Sequence, residues 1–134
     1  MRRVIAFLCL AVLMLPAATR AQEQITPEAF LDIAVGRTLS FRGLETDTLV
    51  GVEQFLRRDL SVWAGEDGRC TYGRIEIRGP LLCFLYEDFT DPDNCWMPFN
   101  DAGQLLVVSR SSFEVQRISD ISDTPVECRG APLS

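Results

Sequence analysis

Histidine and lysine are both missing from this sequence: its thirteen basic residues are all arginine. Without histidine, no Ser-His-Asp or Cys-His catalysis can arise within the chain. Without lysine there is no Schiff base, no Ser-Lys dyad and no P-loop lysine. The missing imidazoles also remove most catalytic zinc and non-haem iron sites. No Gly/Ser-rich or Pro-rich linker and no repeat divides the chain, which predicts one domain after any leader.

What is present begins with a secretory leader. Arg2 and Arg3 give a charged start, residues 4–15 form a twelve-residue apolar run, and Pro16 breaks it. That run is short for a bilayer, and Thr19-Arg20-Ala21 places small residues as a signal peptidase requires. The reading is a signal peptide over 1–21 and a single disulfide-stabilised domain over 22–134. The leader holds three arginines and no acid, so ten arginines face nineteen acids in the mature chain, net −9. Such a charge argues against nucleic acid and against anionic membrane surfaces. It suits plain solubility, or a basic envelope or host protein as partner, with no membrane insertion after cleavage.

Four cysteines follow the leader: Cys70, Cys83, Cys95 and Cys128. An even count in an exported domain implies two disulfides, with three connectivities open. No C-x-x-C pair occurs, so no metal site and no other cofactor is expected. Hairpin register favours Cys70 with Cys95, leaving Cys83 for Cys128.

Thr26-Pro27-Glu28 reads as a helix start, with a capping hydroxyl, a proline at the first helical position and an acid for the dipole. A short helix over 27–35 should end at Gly36. Everything beyond reads as short strands between turn residues: 37–42, 50–56, 60–64, 70–78, 81–87, 95–99, 104–109 and 113–118. Residues 22–25 read as a loose start and 119–134 as a surface tail pinned by Cys128. No helical pattern separates the strands, so parallel crossovers are not expected. The fold class is mainly β: a small antiparallel meander of about eight strands, as a barrel or a strongly curved sheet, with one short N-terminal helix. Strands of this length leave little lumen, so a large cavity is not implied.

The densest concentration of aromatic, acidic and cysteine residues spans Gly68–Tyr72 and Cys83–Trp96. It suggests a ligand-binding face built from Trp63, Tyr72, Tyr86, Asp88, Asp91 and Trp96. The plainer reading of the same residues is a disulfide-buttressed core, since burying aromatics gains so much. Asp88, Asp91, Asp93 and Asn94 offer oxygens for calcium but lack the glycine and terminal glutamate of an EF-hand loop. Glu53, Glu76 and Glu87 lie on strands and read as solvated residues. No acid pair stands out as catalytic.

The segments Gly36-x-Thr38-Leu39-x-Phe41, Gly51-x-Glu53-x-Phe55-Leu56, Gly68-x-Cys70-x-x-Gly73, Cys83-Phe84-x-Tyr86-Glu87-Asp88 and Cys95-Trp96, with Trp63 five residues after Arg58, carry a resemblance. Together they resemble small exported, cysteine-containing proteins of alphaproteobacteria, over most of the mature chain. The resemblance implies export and carries no mechanism. In layout the chain is similar to the periplasmic inhibitors of C-type lysozyme, which are small disulfide-linked β-barrels. Their inhibitory loops use a Ser-Gly-x-x-Tyr-like motif and a lysine-containing one. This chain has no lysine, so none of its residues takes over that role.

Carboxylates, arginines and aromatics suit recognition better than catalysis. The expected function is a periplasmic or secreted, non-enzymatic binding module for an envelope protein or cell-wall component. Inhibition of a basic hydrolase such as lysozyme is the alternative, and a small carboxylate-dependent hydrolase the third reading.

Overall fold

A computed structural model describes residues 22–130. The expected leader over 1–21 and the last four residues lie outside that range. The N-terminal segment is not loose throughout: Glu23–Gln24 forms a short strand, β1. Thr26 then caps helix α1 (Pro27–Ala34), its Oγ1 accepting a hydrogen bond from the Ala29 amide at 3.1 Å. Pro27, Phe30, Leu31 and Ala34 form its buried side. Gly36 turns the chain away at φ +81°, a value that glycine reaches without a Cβ penalty.

Eight strands follow: β2 (Thr38–Gly43), β3 (Leu49–Arg57), β4 (Leu60–Gly65), β5 (Cys70–Arg78), β6 (Leu81–Tyr86), β7 (Cys95–Asp101), β8 (Gln104–Ser109) and β9 (Val115–Ser122). Each pairs antiparallel with the next, and β9 returns to pair with β2, Leu39 opposite Ile121 and Phe41 opposite Ile118. The sheet is therefore a closed eight-stranded barrel, which resolves the choice between barrel and curved sheet. Its weakest seam is β6–β7, where only Leu82↔Trp96 and Cys83↔Cys95 pair. Further along β7, β1 takes the free edge, Glu23 opposite Asn100 and Gln24 opposite Phe99.

Period-two alternation divides each strand into a lumen face and an outer face. Phe30 of α1 enters the lower end of the lumen and meets Phe55 edge-on, ring centroids 5.9 Å apart. An ion pair of 2.7 Å between Asp32 of the helix and Arg58 of the β3–β4 turn fixes that closure from outside. The upper end is ringed by the loops 44–48, 66–69, 87–94 and 110–114.

The disulfide pairing differs from the register expectation. Cys83 bonds Cys95, and Cys70 bonds Cys128. The loop 87–94 is long enough that β7 starts beside the middle of β6, so Cys83 and Cys95 sit directly opposite each other with Cα atoms 4.0 Å apart. Cys70 lies on the outer face, where the tail passes. There the Val126 amide donates to Gln54 Oε1 at 3.1 Å and the Arg129 amide to the Gly68 carbonyl at 2.7 Å.

Candidate functional site

The lumen is not completely filled. A cavity of about 250 Å³ extends from Phe30 at the helix-closed end to Phe89 at the upper mouth. Phe41, Trp63, Phe84, Tyr86 and Trp96 supply most of its apolar wall. Phe89 is 57 % exposed, so the cavity reaches solvent through the loop end.

Strand register explains how these side chains meet. Leu39 pairs with Glu53, Glu53 with Trp63 and Trp63 with Thr71, forming one level of the barrel. Ser61, Gly73 and Tyr86 form the level beneath it, through Ser61↔Gly73 and Gly73↔Tyr86. Two glycines keep the space open. A Cβ at Gly51 would stand 2.2 Å from the Trp63 indole, and one at Gly73 would stand 2.6 Å from the Tyr86 ring. Both rings therefore lie against bare backbone, where any other residue would push them towards the barrel axis.

Among the described residues Glu53 is the one carboxylate in this wall, and it is 2 % exposed. Ser61 Oγ donates to its Oε1 at 2.6 Å, and Tyr86 Oη donates to the same oxygen at 2.9 Å. Burial pushes the Glu53 carboxyl up to about 7, against the two hydroxyls that favour the charged form. Tyr86 is raised well above its ordinary value by burial, by the Glu53 charge and by the hydrogen bond to it. It therefore remains a donor. Near the mouth, Trp96 Nε1 donates to Asn94 Oδ1 at 2.8 Å, and Asn94 Nδ2 donates to the Phe84 carbonyl at 3.2 Å. These bonds hold the end of the acidic loop against the barrel.

Of the residues singled out from the sequence, Trp63, Tyr86 and Trp96 come together in the lumen. Tyr72 does not join them. It pairs with Val62 on the outer face and borders a groove under the tail, beside Gln54, Val126 and Cys128. Asp88 borders the same groove and is exposed. Asp91 serves the loop itself, its Oδ1 accepting from the Asp93 amide at 2.9 Å. No three acidic or cysteine side chains converge among the described residues, so the oxygens of 88–94 do not form a ready cation site.

Glu53 corrects the solvated-face expectation. Glu76 and Glu87 stay outside, Glu76 between Arg74 and Arg78. The signal for Glu53 lies in its parity, since it alternates in phase with Gly51 and Phe55, both buried. An acid in the apolar phase of a strand faces the core. Comparison with family models, with curated proteins and with solved structures finds no match to this chain.

Proposed function

We propose that the chain is an exported, non-enzymatic binding module whose barrel lumen receives a small, largely apolar ligand released from an envelope or cell-wall component. The lumen cavity carries this reading. Small barrels usually fill their interiors with side chains, whereas this one keeps about 250 Å³ behind an aromatic mouth. A buried apolar cavity of about 150 Å³ holds benzene, so one aromatic ring with a short substituent fits here. The two disulfides suit an oxidising compartment. Among the described residues no helix is long and apolar enough to cross a membrane. The non-enzymatic reading draws on the two hydroxyls that donate to Glu53. Ser61 is 0 % exposed and does not line the cavity. Tyr86 does line it, but burial raises its phenol well above the ordinary value and keeps it protonated, a poor nucleophile.

The chain's two tryptophans, Trp63 and Trp96, both line the cavity. Intrinsic fluorescence of the mature, oxidised protein therefore reports occupancy. Titration with benzyl alcohol is expected to give a saturable change. No change up to the solubility limit of the alcohol refutes the reading.

A second reading, inhibition of a basic hydrolase, draws on the loops at the mouth. Leu44, Leu49, Phe89 and Phe113 are exposed at that end, Phe113 at 78 %. Such residues on an acidic protein suit a basic partner that docks end-on. Lysozyme activity undiminished by excess protein removes this reading.

A further inference from the structure

Glu53 presents the lumen with an acceptor and no matching donor. Both hydroxyls that reach it donate to Oε1. Among the described residues Oε2 accepts no hydrogen bond, yet no side-chain oxygen or nitrogen is both sealed and unpartnered. Oε2 therefore opens onto the cavity that Glu53 lines. No arginine approaches it, for the ion pairs of the described residues all lie on the outer surface and in the turns. Phe41, Trp63 and Tyr86 line the same cavity and pack against one another, Phe41 to Trp63 at 5.9 Å and Trp63 to Tyr86 at 6.3 Å, so the wall beside the carboxylate is continuously aromatic. Aromatic faces attract cations, most strongly where water is excluded.

We infer that the lumen is a site for a small primary amine, with its ammonium group on Glu53 Oε2 and its apolar body between Trp63 and Trp96. This rests on the lumen-binding reading and names the ligand's class. The ammonium supplies both things that the oxygen lacks, a donor and a compensating charge. A neutral alcohol supplies only the first, and a carboxylate or phosphate supplies neither. Among the described residues Tyr86 is the one other titratable group in the wall. The helix and the remaining strands contribute only uncharged side chains to it. Occupancy by an amine should therefore follow the ionisation of Glu53 alone.

The test compares benzylamine with benzyl alcohol by calorimetric titration of the mature, oxidised chain. At about pH 8, where Glu53 is charged, the amine is expected to bind roughly tenfold or more tightly than the alcohol, as a charge-assisted hydrogen bond supplies. The ratio should shrink at about pH 5.5, where the carboxyl holds its proton. In Glu53→Gln the ratio should fall to near one at either pH. Equal affinity at the higher pH, or a preference that survives in the glutamine variant, overturns the amine assignment and leaves the lumen as a binding site. Failure of both compounds to bind overturns the lumen reading as well. If the glutamine variant does not fold, the pH comparison on the wild-type chain decides between the same outcomes.

Discussion

Glu53→Gln is expected to stabilise the protein above neutral pH and to leave it nearly unchanged in mild acid. The carboxyl is pushed from the ordinary glutamate value of 4.5 up to about 7 by burial. Between those two values the folded protein holds a proton that the unfolded chain has released, so stability falls as pH rises through that window. Below 4.5 both states are protonated and nothing is lost. Above 7 both are ionised, and the full cost of a buried charge remains. A tenfold change in an ionisation constant is worth about 1.4 kcal/mol, so that cost comes to about 3 kcal/mol. Glutamine keeps an oxygen for the Ser61 and Tyr86 hydroxyls and carries no charge to desolvate.

Urea unfolding of both proteins from about pH 4 to about pH 8 isolates this contribution as a difference. The exposed carboxylates of Asp47, Asp59, Asp67 and Glu76 are lowered by hydrogen bonds and arginine neighbours. Their contribution has the opposite sense, present above the ordinary carboxylate range and lost as pH falls through their lowered values. It is common to both proteins and cancels. The stability of the variant relative to wild type should therefore rise with pH by about 3 kcal/mol across the window. A difference that stays flat would falsify the account of Glu53 as a desolvated carboxyl without a cationic partner. So would a glutamine variant less stable than wild type at the upper end.

Gly51→Ala should lose about 1–3 kcal/mol, since the new methyl meets both the Trp63 indole and the Ala64 carbonyl and the wall must shift. Thermal unfolding measures the loss, and a neutral substitution shows that the ring does not need the bare backbone. Replacing Cys70 and Cys128 together by serine removes a cross-link over 58 residues. Chain entropy puts the loss at about 4 kcal/mol. Because that bond holds the tail on the outer face, benzyl alcohol binding in the lumen should survive in the fraction that remains folded. Loss of binding in a demonstrably folded variant places the tail in the site.

Local pattern carries the strands and misses the long-range closure. β5 and β8 run Cys70–Arg78 and Gln104–Ser109, within the limits that alternation and flanking turns predict. The last strand departs. Alternation predicts a start at Phe113, but Phe113 holds φ +60° in the turn, and β9 begins at Val115. That strand also shifts register against β2 beside Ser40 and Phe41, which breaks the two-residue rhythm. The disulfides fail for a related reason. Their geometry depends on how far up β6 the next strand begins, and the length of the loop 87–94 does not reveal it. Within the site, Trp63, Tyr86 and Trp96 are visible in the sequence because aromatics are few and conspicuous. Glu53 is hidden among nineteen acids, and only its phase relative to Gly51 and Phe55 separates it from the solvated ones.

That phase gives the lysine-free composition its meaning. Ten arginines lie beyond residue 21, and those that form ion pairs do so outside the lumen. A buried carboxylate normally keeps a cation or several donors beside it. Glu53 keeps two hydroxyls on one oxygen and leaves the other facing space. An apolar residue of similar size would fill the same level of the barrel without the desolvation cost. The fold instead carries an ionisable group whose compensating charge the described residues do not supply, in the wall of a cavity open to solvent. A ligand bearing that charge recovers part of the cost on binding and so stabilises the folded state, by an amount that grows with the logarithm of its concentration above its dissociation constant. The same linkage predicts that benzylamine raises the unfolding midpoint of the wild-type protein more at about pH 8 than at about pH 5.5. A shift of equal size at both values means that the ligand is held by the aromatic wall alone.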